Sequence, residues 1–321
     1  MEAKNPENPE HAENTEHAEN TGRSGNTGNT GNTGKIQTAG NPGSQAADGQ
    51  AARWNGPSGS AWVEARDVVD ALYRPLEDLL VEAVPQGRGG RVLDVGCGTG
   101  GTTVAVARRL GPGGHCVGVD ISEPMLEAAR DRAERENAPV SFVRGDAQDH
   151  PFEPGVFDTV VSRFGVMFFE DPVRAFANLR RAARTGAALR FIAWRDLTEN
   201  PFMTTAERAA APLLPDLPAR RPDAPGQFAF ADAGRVRRLL EEGGWEDVDI
   251  RPADASCVLP AERLEWWFTR FGPLGTALRE ADEPTRERVV ETVRPAFAPF
   301  VHADEVRFTA ACWQIDATAP R

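Results

Sequence analysis

Residues 92–101 read Val-Leu-Asp-Val-Gly-Cys-Gly-Thr-Gly-Gly, an apolar strand-forming run that enters a glycine-rich turn and then a helical stretch. Glycines let the backbone adopt left-handed conformations and approach a ligand closely. At the carboxyl end of a strand in an open parallel sheet, this is where ligands bind. Gly96, Gly98 and Gly101 also satisfy the G-x-G-x-x-G spacing of dinucleotide sites, a pattern that is weak by itself. Charge separates the two chemistries. Asp94 stands two residues before the first glycine, where a carboxylate opposes a pyrophosphate and attracts a ligand carrying an ammonium and a sulfonium. Coulomb attraction in a partly buried site is worth on the order of a few kcal/mol, so the sign matters.

Asp120 closes a second apolar run, 24 residues beyond Gly96. A carboxylate at that point can accept hydrogen bonds from both hydroxyls of a ribose. Nicotinamide sites share the feature, and a helix-capping or surface role is the plain alternative. His150 and His302 are candidates for a general base, but a surface histidine is the commoner fate, and no catalytic base is assigned.

Short apolar runs alternate with helical stretches around these residues. Strands are predicted over 91–95, 115–120, 140–143, 157–161 and 189–194, with helices over 102–110, 123–137 and 172–184 between them. Ser122 is read as an N-cap followed by Pro124 in the first turn, and Asp171-Pro172 opens the third helix in the same way. Such alternation means an α/β, Rossmann-like doubly wound fold, its mostly parallel sheet covered by helices on both faces. Two further strands over 245–250 and 307–315 make it seven-stranded. Upstream, 65–84 is an amphipathic helix that Pro75 kinks or divides. Downstream, the Pro- and Ala-rich stretch 195–231 reads as a helical insertion, and helices are expected over 235–242, 261–271 and 284–296.

Residues 1–52, with AENTEHAEN and GNTGNTGNTG, cannot bury enough apolar surface to offset chain entropy and are expected to be a disordered tail. His11 and His17 within it have no neighbouring metal ligands. The globular domain is expected over 53–321, with a ligand-binding core at 91–194 and capping parts at 53–64, 195–231 and 257–303.

The 321 residues carry a net charge of −12, which argues against a nucleic-acid substrate, since that binding rests on Lys and Arg neutralising phosphates. The four cysteines form no C-x-x-C pair and no spaced cluster with histidine, so neither zinc nor a disulfide framework is expected. No apolar stretch approaches the roughly 18 residues of a membrane span, and the N-terminus lacks a secretory signal's basic start and apolar core. A cytoplasmic protein without membrane insertion is the expectation.

The ordered series VLDVGCGTGG, VGVDIS, RGDAQDHPF and FDTVVSRFGVMFFEDP resembles the successive motifs of class I S-adenosylmethionine-dependent methyltransferases. Within that superfamily it is similar to the group labelled ubiquinone/menaquinone-biosynthesis-like. The resemblance is carried by 91–194 and extends from Trp54 to the end of the chain. It implies that Asp94 and the Gly96, Gly98, Gly100 turn hold the methionine part of S-adenosylmethionine. Asp120 would bind the ribose, with Ile121 packed on the adenine and Met125 near it. Asp146 and Ala147 would contact the adenine, and Ser162 and Arg163 would lie beside the cofactor and the acceptor entrance. Asp146 read alone is equally a loop carboxylate, and Arg163 equally the partner of a surface acid.

Phe164, Met167, Phe168 and Phe169 either line an apolar acceptor pocket or pack under the sheet's end. In resembling enzymes the N-terminal region closes over the site, which makes Trp54 and Trp62 lid candidates, with simple anchoring as the alternative. Trp266, Trp267 and Phe268 pose the same choice, and core packing is favoured. The reaction implied is in-line displacement of methyl from sulfonium to an O, N or C nucleophile of a small-molecule acceptor. Catalysis then rests on positioning and exclusion of water. The competing readings are an NAD-linked oxidoreductase, which leaves Asp94 unexplained, and a catalytically silent module that binds the cofactor.

Overall fold

The computed structural model describes residues 42–221 and 224–321. The chain opens with helices α1 (Pro42–Asn55), α2 (Pro57–Leu72) and α3 (Arg74–Glu82). Strands and helices then alternate through β1 (Gly90–Val95), α4 (Gly101–Leu110), β2 (Gly114–Asp120), α5 (Glu123–Glu136), β3 (Val140–Arg144), β4 (Phe157–Arg163), α6 (Pro172–Ala182) and β5 (Ala183–Trp194). The remainder comprises α7 (Pro201–Ala210), α8 (Ala233–Glu242), β6 (Glu246–Pro260), α9 (Leu264–Arg270), α10 (Gly272–Glu280), α11 (Glu283–Ala296), β7 (Val301–His302) and β8 (Glu305–Thr318).

The sheet runs β3-β2-β1-β4-β5-β8-β6, with β7 paired to β8. Its first five strands are parallel, and β8 lies antiparallel between β5 and β6. Strand order reverses between β1 and β4, and an open sheet leaves its ligand crevice at such a switch point, beyond the strands' carboxyl ends. Alternation along β1 splits the core between the two faces. Val92 packs with Val106, Ala107 and Leu110 of α4 and with Cys116 and Val161. Leu93 and Val95 join the larger core, which includes Val117, Val119, Val160, Phe176 and Leu179.

Several elements differ from the sequence expectation. The eighth strand, β7, has only two residues, too few to carry an alternating pattern. β6 extends to Pro260 although Pro252 lies inside it, because it is the sheet's edge strand, where a missing N–H is tolerated. The expected helix over 65–84 is two helices that meet at Tyr73, with Pro75 in the first turn of the second. Ser122 occupies the N-cap position of α5 without capping it. Its hydroxyl donates to Trp54 O at 2.6 Å, and Asn55 Oδ1 takes the Glu123 N–H at 2.9 Å instead. Asp171 caps α6 as expected, accepting from Arg174 N at 3.0 Å.

Helix α1 covers residues 42–52, the end of the segment expected to be disordered. It has no broad apolar face to announce it and is held at its end by polar contacts and by Trp54 against Phe168. The expectations for residues 1–41, His11 and His17 included, lie outside the described residues. Among the described residues no helix is long and apolar enough to cross a membrane. The four cysteines are buried and unpaired.

Candidate active site

The turn after β1 is held by Gly96 N and Cys97 N, which donate to Val119 O at 2.8 and 3.1 Å. Two of its glycines serve different ends. Gly96 has φ +66, and a Cβ there would lie 2.5 Å from Gly165 Cα, so the turns after β1 and β4 meet backbone to backbone. Gly98 also has positive φ, but a Cβ there would meet only Met125 Sδ, at 3.6 Å. Its open side is where a ligand can approach the main chain.

Three carboxylates face this opening. Asp94 is 1% exposed, and its Oδ2 accepts from Thr103 Oγ1 at 2.7 Å. Burial pushes its pKa up to about 7, against the pull of the Thr103 hydrogen bond and Arg163. Asp120 accepts from Gly98 N at 2.8 Å and from Ser122 N at 2.9 Å. Burial still raises its pKa, as it does that of Asp146, whose Oδ1 accepts from Gln148 N at 2.9 Å. Raised carboxylates mean that the site gains from a cation that replaces lost water.

Arg163 is not paired with a surface acid. Its guanidinium lies 3.5 Å from Asp70 and 3.6 Å from Glu77, the latter 2% exposed, while Arg132 binds Asp70 at 2.5 Å. This network joins α2 and α3 to the end of β4. Arg163 Nη1 is buried and has no hydrogen-bond partner.

Asp94, Asp120, Asp146 and Arg163 open on one cavity of about 530 Å³, a volume typical of small-molecule sites. Of the predicted cofactor residues, Asp94, Gly96, Gly98, Asp120, Ile121, Met125, Asp146, Ala147 and Arg163 line it. Gly100 and Ser162 do not. Gly100 packs against α5, where a Cβ would stand 2.9 Å from Ala129 Cβ. The Ser162 hydroxyl donates to Val95 O at 2.7 Å and accepts from Gly165 N at 3.2 Å, tying the two strand ends together.

Trp54, Trp62, Phe164, Met167, Phe168 and Phe169 all reach the cavity. Trp54 meets Phe168 edge-on at 5.0 Å, and Trp62 meets Phe271 at 5.5 Å. Trp267 and Phe268, read as core, are buried and line it as well, whereas His150 and His302 do not reach it. The N-terminal wall is clamped at its root: Asn55 Nδ2 donates to Ile121 O at 3.0 Å, beside the expected adenine position. Gly59 lets α2 pass so close that a Cβ would sit 2.0 Å from Trp54 O. Sequence reading missed Arg53, Tyr73, Trp194, Arg220 and Phe228, which complete the walls from four separate segments. No local pattern links them.

A family profile described as "Methyltransferase domain" matches residues 92–186. The demethylmenaquinone methyltransferase of Staphylococcus aureus is 30% identical over 177 residues, covering 51% of this chain and 71% of that protein. The chain belongs to the class I S-adenosylmethionine-dependent methyltransferases. Within them it is of the quinone-biosynthesis-like type. Two solved structures share the fold of this methyltransferase. One, from Bacillus halodurans C-125 and provisionally named a methyltransferase, is 17% identical with a TM-score of 0.52, covering 76% of this chain and 99% of that one. The YcgJ protein of Bacillus subtilis is 15% identical with a TM-score of 0.51, covering 76% and 98%. The methyltransferase uses S-adenosylmethionine as its cofactor and acts on a small molecule. Its site suits that cofactor: raised carboxylates await a cation, and Gly98 leaves main chain open.

Proposed function

We propose that the cavity holds cofactor and acceptor together, with the carboxylate side taking S-adenosylmethionine and the aromatic side taking a flat, largely apolar small molecule. The observation that carries this division is that Asp94, Asp120 and Asp146 and the rings of Trp54, Phe164 and Phe168 line one cavity. When bound, the cofactor supplies a methyl group on a cationic sulfur, already activated for displacement. Asp94 and the open main chain at Gly98 receive the methionine part, with Arg163, which lines the same end of the cavity, beside its carboxylate. Asp120 accepts from the ribose, while Ile121, Met125, Asp146 and Ala147 surround the adenine. Gly100 and Ser162 act on the cofactor only through the turns they pack.

The acceptor's nucleophile is placed behind the methyl by Phe164, Met167 and Phe168, with Trp54 and Trp62 closing the N-terminal side. Residues 53–64, 195–231 and 257–303 act as capping parts, a role supported by the lining residues that each contributes. Excluding water and fixing the approach supply the rate enhancement, so no covalent enzyme intermediate is required. A nucleic-acid acceptor is disfavoured by the charge of −12. Buried, unpaired cysteines support a reducing, cytoplasmic setting.

Titration calorimetry with S-adenosylmethionine, S-adenosylhomocysteine and NAD tests the cofactor half. The first two are expected to bind, more than tenfold weaker in Asp120→Ala, with no change when residues 1–41 are removed. A chain that binds NAD alone would return the glycine turn to an oxidoreductase role.

A further inference from the structure

Arg53, Arg66, Arg163, Arg220 and Arg221 all line the cavity, and four of the five are engaged by other groups of the chain. Arg163 lies between Asp70 and Glu77, and Arg66 stands 3.7 Å from Asp67. Arg220 donates through Nε and Nη2 to both oxygens of Glu207, at 2.7 and 2.5 Å, and through Nη1 to Gln227 Oε1 at 2.8 Å. Arg221 is not free either. Arg53 differs: among the described residues its guanidinium contacts the rings of Trp54 and Phe168, at 5.4 and 5.7 Å, and makes no hydrogen bond or ion pair. Ring contacts draw on the cation's charge and leave its five N–H donors unspent. The residue is exposed on the cavity wall, where a solute can reach those donors.

The charges around Arg53 sharpen the point. Partial burial holds its pKa below the ordinary value, and the charge of Arg220 lowers it further. The acids on the same wall are committed elsewhere: Glu207 holds Arg220, and Glu170 accepts from Gln50 Nε2 at 3.3 Å. Arg53 stands at the end of α1 and Arg220 in the insertion after α7, so two guanidiniums approach one corner from distant segments. That corner belongs to the aromatic side, because Trp54 and Phe168 carry Arg53. The cofactor side holds Asp94, Asp120 and Asp146. A cation relieves the acids there, and by the same electrostatics an anion relieves Arg53 here. A guanidinium edge matches a carboxylate with two parallel hydrogen bonds, which gives geometry as well as charge.

We propose that Arg53 is a specificity-determining residue that binds a carboxylate on the acceptor, so that the methyltransferase selects flat, largely apolar molecules bearing an acidic group at one edge. This rests on the division of the cavity given under Proposed function. Arg220, fixed by Glu207 and Gln227, adds its charge to the same corner without leaving its partners. The carboxylate anchors the acceptor against α1, while the rings hold its apolar body.

Equilibrium dialysis of the full chain saturated with S-adenosylhomocysteine, against 2-naphthoate and 2-naphthamide, tests the subsite, since the probes share a shape and differ in charge. The naphthoate is expected to bind about tenfold tighter, the weight of one charge-assisted pair at a partly open site. Arg53→Met keeps an apolar stem against Trp54 and Phe168, and should bring the ratio below about threefold with little change in naphthamide binding. Arg53→Lys, which keeps the charge and loses the fork, should retain part of the preference. Glu207→Gln removes an acid from the corner and loosens Arg220, so it should widen the ratio by about twofold or more. If Arg53 only packs on the rings, Arg53→Met weakens both probes alike and the ratio stays. A wild-type ratio near one, or a ratio unmoved by both Arg53→Met and Glu207→Gln, overturns the proposal. S-adenosylhomocysteine binding is measured alongside: its absence in the wild type sinks the cofactor placement, whereas its retention with no naphthoate preference sinks only the carboxylate subsite.

Discussion

Asp94 offers a test in which the sign and size both follow from its surroundings. Its carboxyl is 1% exposed, and burial lifts its pKa to about 7, from 3.8 in an ordinary setting. A folded value above the unfolded one means that the native state holds the proton more tightly. The stabilising effect is therefore complete below pH 3.8 and is lost as pH rises through 7. At about 1.4 kcal/mol per unit, the whole span corresponds to roughly 4 kcal/mol, of which about 2 kcal/mol falls between pH 5 and 7. Asp94→Asn keeps the shape and cannot ionise. Urea denaturation of both proteins across this range should show the wild type losing about 2 kcal/mol relative to the variant as pH rises. Saturating S-adenosylmethionine should erase that loss, because its cationic groups favour the ionised carboxylate. By the same linkage, its affinity for the wild type should climb from pH 5 to 7, and the climb should be shallower in Asp94→Asn. A stability difference that stays flat with pH, or an affinity that falls as pH rises, would refute the assignment of Asp94 to a cationic ligand.

Gly96→Ala should destabilise the protein by at least about 2 kcal/mol in chemical denaturation, because left-handed backbone costs a non-glycine residue about 1–2 kcal/mol and the methyl also meets Gly165 Cα. Asn55→Ala removes the hydrogen bonds to Ile121 O and Glu123 N. At about 1 kcal/mol each it should speed limited proteolysis near the α1–α2 junction and weaken S-adenosylmethionine binding several-fold. Unchanged cleavage would detach α1 from the cofactor wall. His150→Ala and His302→Ala should leave methyl transfer within about twofold of wild type, since neither lines the cavity. A large loss in either would mean that the acceptor reaches beyond these walls.

The part of the site that was legible in the sequence is the part built from short-range signals. A buried strand, a glycine turn and a helix start follow one another within residues 91–110, so Asp94 and Gly98 can be placed without knowing the fold. Asp120 follows by the same logic at the end of β2. Gly100 and Ser162 stand in the same motifs yet face protein, because a motif marks a turn and does not say which way each residue in it points. Arg163 was left open between a ligand contact and a surface ion pair. Its burial with Asp70 and Glu77 depends on how α2 and α3 dock, which no pattern near residue 163 encodes.

By itself, then, the sequence determined the strand–helix alternation, the glycine turn and the carboxylates that mark a cofactor of this charge, since these arise from periodicity and local backbone preference. Only the tertiary structure decided the aromatic wall of the cavity. Tyr73, Trp194, Phe228 and Phe271 come from segments far apart in the chain, and packing alone brings them together. The same holds for α1, which is held near its end by hydrogen bonds to the loop after β2 and by Trp54 against Phe168 rather than by a broad apolar stripe. Local rules act over a few residues, whereas a cavity wall is set by which distant surfaces exclude water from one another.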